Sequence, residues 1–380
     1  VVAVNRIAYF TARRLVAGLF TVALLITITF VVFWAIPSQP ETFLYPTTPH
    51  ITAFQLHNAD KLMGLDQPKF GMYLHDLWHT ITLNFGHRWS GEQLVPINKL
   101  QPGPLIGPGV YSALRVTLSL ILGGAVVVLL LAVPLGTLAG SRIGSWTDRT
   151  ISLVALIALC LHPMILGLIL RSLFGRHLGW TPQYGYCPIF NSSGAHLPSG
   201  PYVANGSTVF DPTAGPTQVC HGLGAWASHM ALPWLTFGLL FLALYTRMVR
   251  VSVAETLRED YVRTARAKGA GELRVLSRHV LPNATLRILT MIGMEIGTAI
   301  GICIYLESAF RLGGLASGAV TAFGGNSQLD LPYMLAVVTM LTLIVVIGNI
   351  VVDVLYAVVD PRVGRTPPRR QEKAAVGGVI

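Results

Sequence analysis

Two ionisable residues stand inside long apolar stretches of this chain, where a charge is costly unless a partner or a water-filled cavity receives it. Glu295 lies midway along the run from Ile288 to Leu306, and His162 precedes Pro163 in the run from Thr150 to Leu173. Each admits two readings. Glu295 either lines a passage or makes a structural hydrogen bond. His162 is either a working group or a neutral ring satisfied by a carbonyl that the proline frees. Cys187 and Cys220 share one polar stretch, where an oxidising compartment would let them join in a disulfide or leave both as thiols. Cys160 and Cys303 sit in apolar runs and are expected to pack.

Group-transfer chemistry has no visible home in the chain. A Walker A phosphate loop needs a lysine followed by Ser or Thr, and none of Lys61, Lys69, Lys99, Lys268 and Lys373 is. His-Glu-x-x-His, Cys-x-x-Cys and Gly-x-Ser-x-Gly patterns are also missing. No metal site, cofactor site or catalytic residue is expected.

The elements that position these residues are membrane spans. Hydrophobic residues make up 52% of the 380 and charged ones 12%, with a mean hydropathy of +0.59. Six stretches reach the ~20 apolar residues of a spanning helix: Leu15–Ile36, Val116–Ala139, Thr150–Leu173, Met230–Met248, Ile288–Leu306 and Tyr333–Ala357. Six passes put both termini on one side. The net charge of +10 follows the same topology. Of the Lys and Arg residues, 19 fall in the N-terminal arm, the loop around residue 145, the 247–287 region and the tail, against 8 on the other side. By the positive-inside rule the first group is cytoplasmic, and a nucleic-acid partner is not needed to explain the charge. Arg6, Arg13 and Arg14 before a run of about 22 apolar residues suggest a retained anchor helix, since a signal core spans only ~7–15.

The chain then divides into an arm and first span (1–37), an outer region (38–111) without long periodicity, a core (112–363), and a basic tail (364–380) expected to be disordered. Within the core lie a second outer loop (176–228) and a polar, basic elbow (259–282). In the elbow Tyr261, Ala265 and Gly269 fall at i, i+4 and i+8, so one face of a short helix shows an aromatic ring above two small residues. Gly269-Ala270-Gly271 should stop that helix. A second short helix, with Leu273, Leu276 and Val280 on one face, should close at Leu281-Pro282. In the fifth span Gly293, Gly297 and Gly301 recur every four residues, a smooth stripe for close helix approach.

Ala265, Gly269 and Leu281-Pro282 are spaced as in the cytoplasmic coupling loop of ABC-importer permeases, which this elbow resembles. DYVRTARAKG, Asp260 to Gly269, looks most like the B-type subunit of the dipeptide/oligopeptide branch, although Arg263, Thr264 and His279 depart from the general motif. SRIGSWTDRTISLVALIAL (141–159) and VDVLYAVVDPRV (352–363) are similar to the same branch. ESAFRLGGLASGAVTAF (307–323), with Glu307, Gly313 and Gly314, resembles its outer re-entrant loop.

The resemblance implies an all-α integral membrane permease of six helices in a bacterial inner membrane. It implies a second homologous permease, two ATPase subunits that bind the ATP and Mg, and an external substrate-binding protein. Tyr261, Arg263, Ala265, Arg266, Gly269, Leu281 and Pro282 would then form the ATPase-coupling surface, with Arg263 and Arg266 facing acidic groups of the ATPase or lipid headgroups. Glu295, His162 and the three glycines would border the path, and Glu307, Gly313 and Gly314 would serve the outer gate. Short peptides are the expected cargo, with nickel, glutathione or haem-like ligands open. An ion-coupled transporter would show inverted repeats and several mid-membrane charges, which this chain lacks. A membrane enzyme would need a catalytic spacing among its outer His, Asp and Cys residues, and none is visible.

Overall fold

Runs of Leu, Ala, Val and Ile with few charges favour helices that satisfy their own backbone polar groups, as an apolar surrounding demands. The computed structural model describes residues 2–32, 57, 68–83, 87–90, 93–96, 110–182, 184–187, 189, 222–322 and 331–359. In chain order these form α1 (Val2–Phe30), α2 (Lys69–Ile81), an antiparallel hairpin of β1 (His87–Ser90) and β2 (Gln93–Pro96), and α3 (Val110–Ser141). There follow α4 (Trp146–Cys160), α5 (Pro163–Leu170) with a π-helical extension to His177, α6 (Leu223–Thr256), α7 (Asp260–Ala267) and α8 (Glu272–Val275). After a π-helical stretch at Leu276–Val280 come α9 (Leu281–Phe310), α10 (Leu315–Ala322) and α11 (Leu331–Val359). Among the described residues the fold is all-α but for one hairpin.

Among the described residues five helices, α1, α3, α6, α9 and α11, are long and apolar enough to cross a bilayer. The expected third span is not a straight helix. It is the pair α4 and α5, bent by 106°, and it makes a sixth crossing only if the pair is counted as one. Pro163 is the cause: it offers no N–H and pushes its predecessor out of helical geometry, so Leu161 and His162 are both extended, with ψ of 133° and 136°.

The outer region also differs from expectation. Lys69–Ile81 is helical and packs on the end of α1, where the Tyr73 hydroxyl meets Thr27 Oγ1 at 2.9 Å and its ring lies edge-on to Phe30. The basic tail and residues 190–221 lie outside the described residues.

Helices α3 and α6 form the hub, packed along most of their length, with α9, α4 and α5 against α6. Their closeness rests on glycine. A Cβ on Gly136 would stand 2.6 Å from Val249 Cβ, and one on Gly140 2.6 Å from the Arg250 carbonyl oxygen, so any side chain there would prise the helices apart. A second apolar cluster joins the start of α3 to α10 and α11 through Val110, Leu315, Tyr333 and Val337. The expected stripe on α9 is only partly used. A Cβ on Gly293 would stand 3.1 Å from Val352 Cγ1 of α11, whereas one on Gly297 or Gly301 would meet no atom within 4 Å.

Candidate functional site

The elbow joins α6 to α9. Glu259, with extended backbone, starts α7, and the chain reverses at Gly269, whose φ of +82° is the left-handed region open to glycine. The space beside Gly269 is empty, so conformation and not crowding selects glycine there. Val262, Val275 and Val280 are fully buried and anchor the elbow to the main core, each worth about 1.5–3 kcal/mol of apolar burial.

Of the face that Leu273, Leu276 and Val280 share, Val280 is buried and Leu276 packs on the core. Leu273 is 84% exposed and Val275 takes its place inside. Tyr261 is also exposed, its hydroxyl reaching the His279 carbonyl at 3.5 Å, with Ala265 half-buried and Gly269 exposed. Tyr261 and Leu273 thus present apolar surface outward from a basic loop. Arg266 is bound inside the elbow by two bonds to Glu272, at 2.8 and 3.1 Å, and Arg263 lies 3.7 Å from Asp260.

Leu281-Pro282 does not close the second elbow helix. The backbone stays helical from Glu272 onward, and Pro282 stands in the first turn of α9. Proline cannot donate to the preceding turn, and the π-helical stretch before it absorbs that loss: the Leu281 N–H turns to the Leu276 carbonyl, five residues back.

On the same side Asp148, at the start of α4, is buried and receives a forked pair of bonds from Arg250 of α6, Nε at 2.5 Å and Nη2 at 2.8 Å. The Gly144 amide adds a third bond at 2.9 Å. A nearby exposed pair, Arg287 and Glu255, ties α9 to α6. Nothing in the spacing of Asp148 and Arg250 marks them as partners; both are charges at the margin of an apolar run, which is the only signal the sequence offers.

Midway along the bundle a cavity of about 70 Å³ opens between α3, α6 and α9. Glu295 borders it, with Ile121 and Val128 of α3 opposite. Phe237, Phe241 and Tyr245 of α6 line it as a ladder, their ring centres 4.9 and 6.2 Å apart in turn. Glu295 makes no hydrogen bond and no ion pair among the described residues. The i, i+4, i+8 spacing of the three rings was available in the sequence and marks this face.

His162 is elsewhere. It caps α5, its Nδ1 accepting from the Met164 amide at 3.3 Å, and its ring stands edge-on to Tyr305. The ring therefore accepts from an amide at the break and does not bond to a freed carbonyl, and it does not border the cavity of Glu295.

At the opposite end of the bundle Glu307, Gly313 and Gly314 do come together. Glu307 is fully buried and accepts from Thr117 Oγ1 of α3 at 2.6 Å and from the Ser317 amide at 2.8 Å, so its carboxylate caps α10. Thr117 Oγ1 in turn accepts from the Leu315 amide at 2.9 Å. A Cβ on Gly314 would lie 2.3 Å from the Glu307 carboxyl carbon, and Gly313 turns the chain with φ of +69°. Thr117 and Ser317 carry no sequence signal that would have named them.

Nearby, Arg171 donates to the Ala309 carbonyl, and both Arg171 and Arg311 lie over the Tyr184 ring, at 4.5 and 5.2 Å. The neighbouring Tyr186 phenol is pushed above its ordinary value, chiefly by burial. Cys187 is buried and disulfide-bonded, Cys160 and Cys303 are free thiols, and Cys220 lies outside the described residues.

A multi-pass helical bundle with a polar elbow between two long apolar helices, a half-buried mid-bundle carboxylate and a short helix capped by a buried carboxylate suits a membrane transport subunit. The sequence family described as "Binding-protein-dependent transport system inner membrane component" matches residues 132–365, and the chain belongs to it. Over 361 residues it is 30% identical to the oligopeptide transport system permease protein AppB of Bacillus subtilis, covering 94% of this chain and 99% of that protein. It is 29% identical over 367 residues to the di/tripeptide transport system permease protein DppB of Pseudomonas aeruginosa, covering 93% and 98%. With the probable D,D-dipeptide transport system permease protein DdpB of Escherichia coli it shares 28% over 350 residues, covering 89% and 92%.

Proposed function

We propose that this chain is one permease half of an ATP-driven importer of short peptides. Full-length similarity to permeases named for di-, tri- and oligopeptides supports the cargo class. The exposed apolar pair Tyr261 and Leu273 on a basic loop, anchored from behind by three buried valines, is the observation that carries the mechanism. It is a docking surface, and the rest of the elbow is built to keep it rigid.

In this reading the elbow and both termini face the cytoplasm, where the excess of Lys and Arg belongs, in a bacterial inner membrane. Two ATPase subunits bind ATP and Mg and grip the elbow; a second, homologous permease completes the path; a binding protein delivers cargo on the far side. The chain itself holds no cofactor and performs no hydrolysis. Closure of the ATPases moves α7 and α8, and α9, continuous with α8, swings between two positions so that the path opens to each side in turn. Glu295 borders the path, while Glu307, Gly313 and Gly314 hold the re-entrant α10 at the outer mouth. A Cys187–Cys220 bridge would tie down the second outer loop. His162 keeps only its capping role.

The test is a mild-detergent pull-down of the tagged chain with mass spectrometry of its companions, repeated with Gly269→Asp. Recovery of a second permease and ATPases, with the ATPases lost from the variant, is expected. A chain that comes down alone overturns the proposal.

A further inference from the structure

Helix α2 lies across the end of the bundle opposite the elbow. The ion pair of Arg14 with Asp353 sets the start of α1 beside the end of α11, and α11 begins where it packs with α10 and the start of α3, away from the elbow. Phe30 therefore marks the far end of α1. Tyr73 of α2 joins that end through Thr27 and Phe30. Two residues past α2, the Leu83 carbonyl accepts from the Tyr111 hydroxyl at the start of α3, at 2.6 Å. One short helix is thus pinned, near both of its ends, to the same end of two long apolar ones, with Met72 buried beneath it.

The outward side of α2 is apolar. Phe70, Leu74 and Trp78 fall at i, i+4 and i+8, on one face of a helix, and are 70%, 48% and 64% exposed. Such a stripe needs an apolar cover, and α1 indicates which. Helix α1 packs mainly on α11 and α2, and its remaining side shows Leu24, Ile28, Val31 and Val32 outward. In an inner membrane component such an aliphatic wall meets lipid. Leu74 follows directly on Tyr73, beside the end of this wall. Aromatic side chains favour the level where spans end, and an amphipathic helix with one apolar face settles in that plane.

We infer that α2 is an interfacial helix, with Phe70, Leu74 and Trp78 immersed in the lipid leaflet on the side opposite the elbow. The partner of this face is the boundary between headgroups and acyl chains, and neither cargo nor ATPase enters the inference. Through Leu83 and Tyr111 the leaflet is tied to the cluster of Val110, Leu315 and Tyr333 that carries α10.

The experiment places a nitroxide on Phe70→Cys, Leu74→Cys or Trp78→Cys, one at a time, in a background lacking Cys160, with the chain in nanodiscs both alone and with its companions. Collisions with oxygen, which concentrates in lipid, are compared with collisions with a water-soluble nickel chelate. The oxygen-to-nickel ratio is expected to be several-fold higher at all three positions than at Lys268→Cys on the exposed elbow. Ratios equal to that at 268 would put the stripe in water and overturn the inference. Low collision with both reagents, seen only with companions present, would mean that a protein covers the stripe, and would overturn it too. A second variant tests whether the stripe is what holds the helix. With the label at 70, Leu74→Glu combined with Trp78→Glu should shift the ratio toward water, whereas Leu74→Phe combined with Trp78→Phe should not. A label that stays in lipid beside the two glutamates overturns the anchoring role. Because no transport is measured, failure of the peptide-import reading leaves these outcomes unchanged.

Discussion

Asp148 and Arg250, 102 positions apart, meet in a forked ion pair that fastens the start of α4 to the elbow end of α6. Loss of either partner strands the other at a nearly dry contact, at a cost of about 1–3 kcal/mol. Arg250→Ala and Asp148→Asn should therefore lower the melting temperature of the purified protein. Arg250→Lys should recover little, because an ammonium cannot fork across both carboxylate oxygens. Thermal scanning in detergent checks both; a lysine variant as stable as wild type would show that the fork is immaterial.

Gly269 offers a sharper test of the elbow. Its left-handed backbone penalises every L residue by about 1–2 kcal/mol, but asparagine less than alanine. Since no atom crowds the site, uptake should fall in the order Gly, Asn, Ala. Retention of full uptake by Gly269→Ala would mean that the turn is not needed in its present form.

Docking and internal bracing can be separated at Leu273 and Arg266. Leu273→Glu should abolish co-purification of the ATPases while the chain still inserts. The double variant Arg266→Ala with Glu272→Ala should weaken coupling by no more than either single variant does, since the two side chains serve each other. Strict additivity of the two single effects would place Arg266 on the partner instead.

At the far end, Gly314→Ala forces a methyl group into the Glu307 carboxylate, and Glu307→Gln replaces one of its acceptors with a donor. Both should loosen α10. A cysteine at Val320, in a background lacking Cys160, should then react faster with a water-soluble maleimide. Unaltered labelling would show that the cap does not hold the helix.

Thiol chemistry separates the cysteines. Exposed Cys160 should react with a membrane-permeant maleimide at once and buried Cys303 only after denaturation, whereas Cys187 should need reduction first. Intact-mass measurement before and after reductant reads all three.

The spans were legible because a 20-residue apolar run has few alternatives, and the elbow because glycines and polarity interrupt such runs. Long-range polar matches were not. Thr117 with Glu307 and Asp148 with Arg250 are separated by 190 and 102 residues, and only packing brings them together. Periodicity grouped Leu273, Leu276 and Val280 on one face of the elbow, and of these Val280 is buried and Leu276 packs on the core while Leu273 is exposed, because a short helix has several faces and its tertiary neighbours choose among them. Proline was read correctly as a break at 163 and incorrectly at 282. The difference is that at 282 the preceding π-helical stretch supplies an alternative bond, whereas at 163 the chain turns away.

From Glu272 to Phe310 the backbone never leaves helical geometry, and α9 alone runs roughly 45 Å at about 1.5 Å per residue. Leu273 sits near one end, Glu295 past the middle and Glu307 near the other. In the proposed importer, a displacement of the elbow at the first would pass through one unbroken helix to both carboxylates. Work is then exchanged in both directions: whatever occupies the path at Glu295 must alter the grip felt at Leu273 by the same free energy that the grip imposes on the occupant.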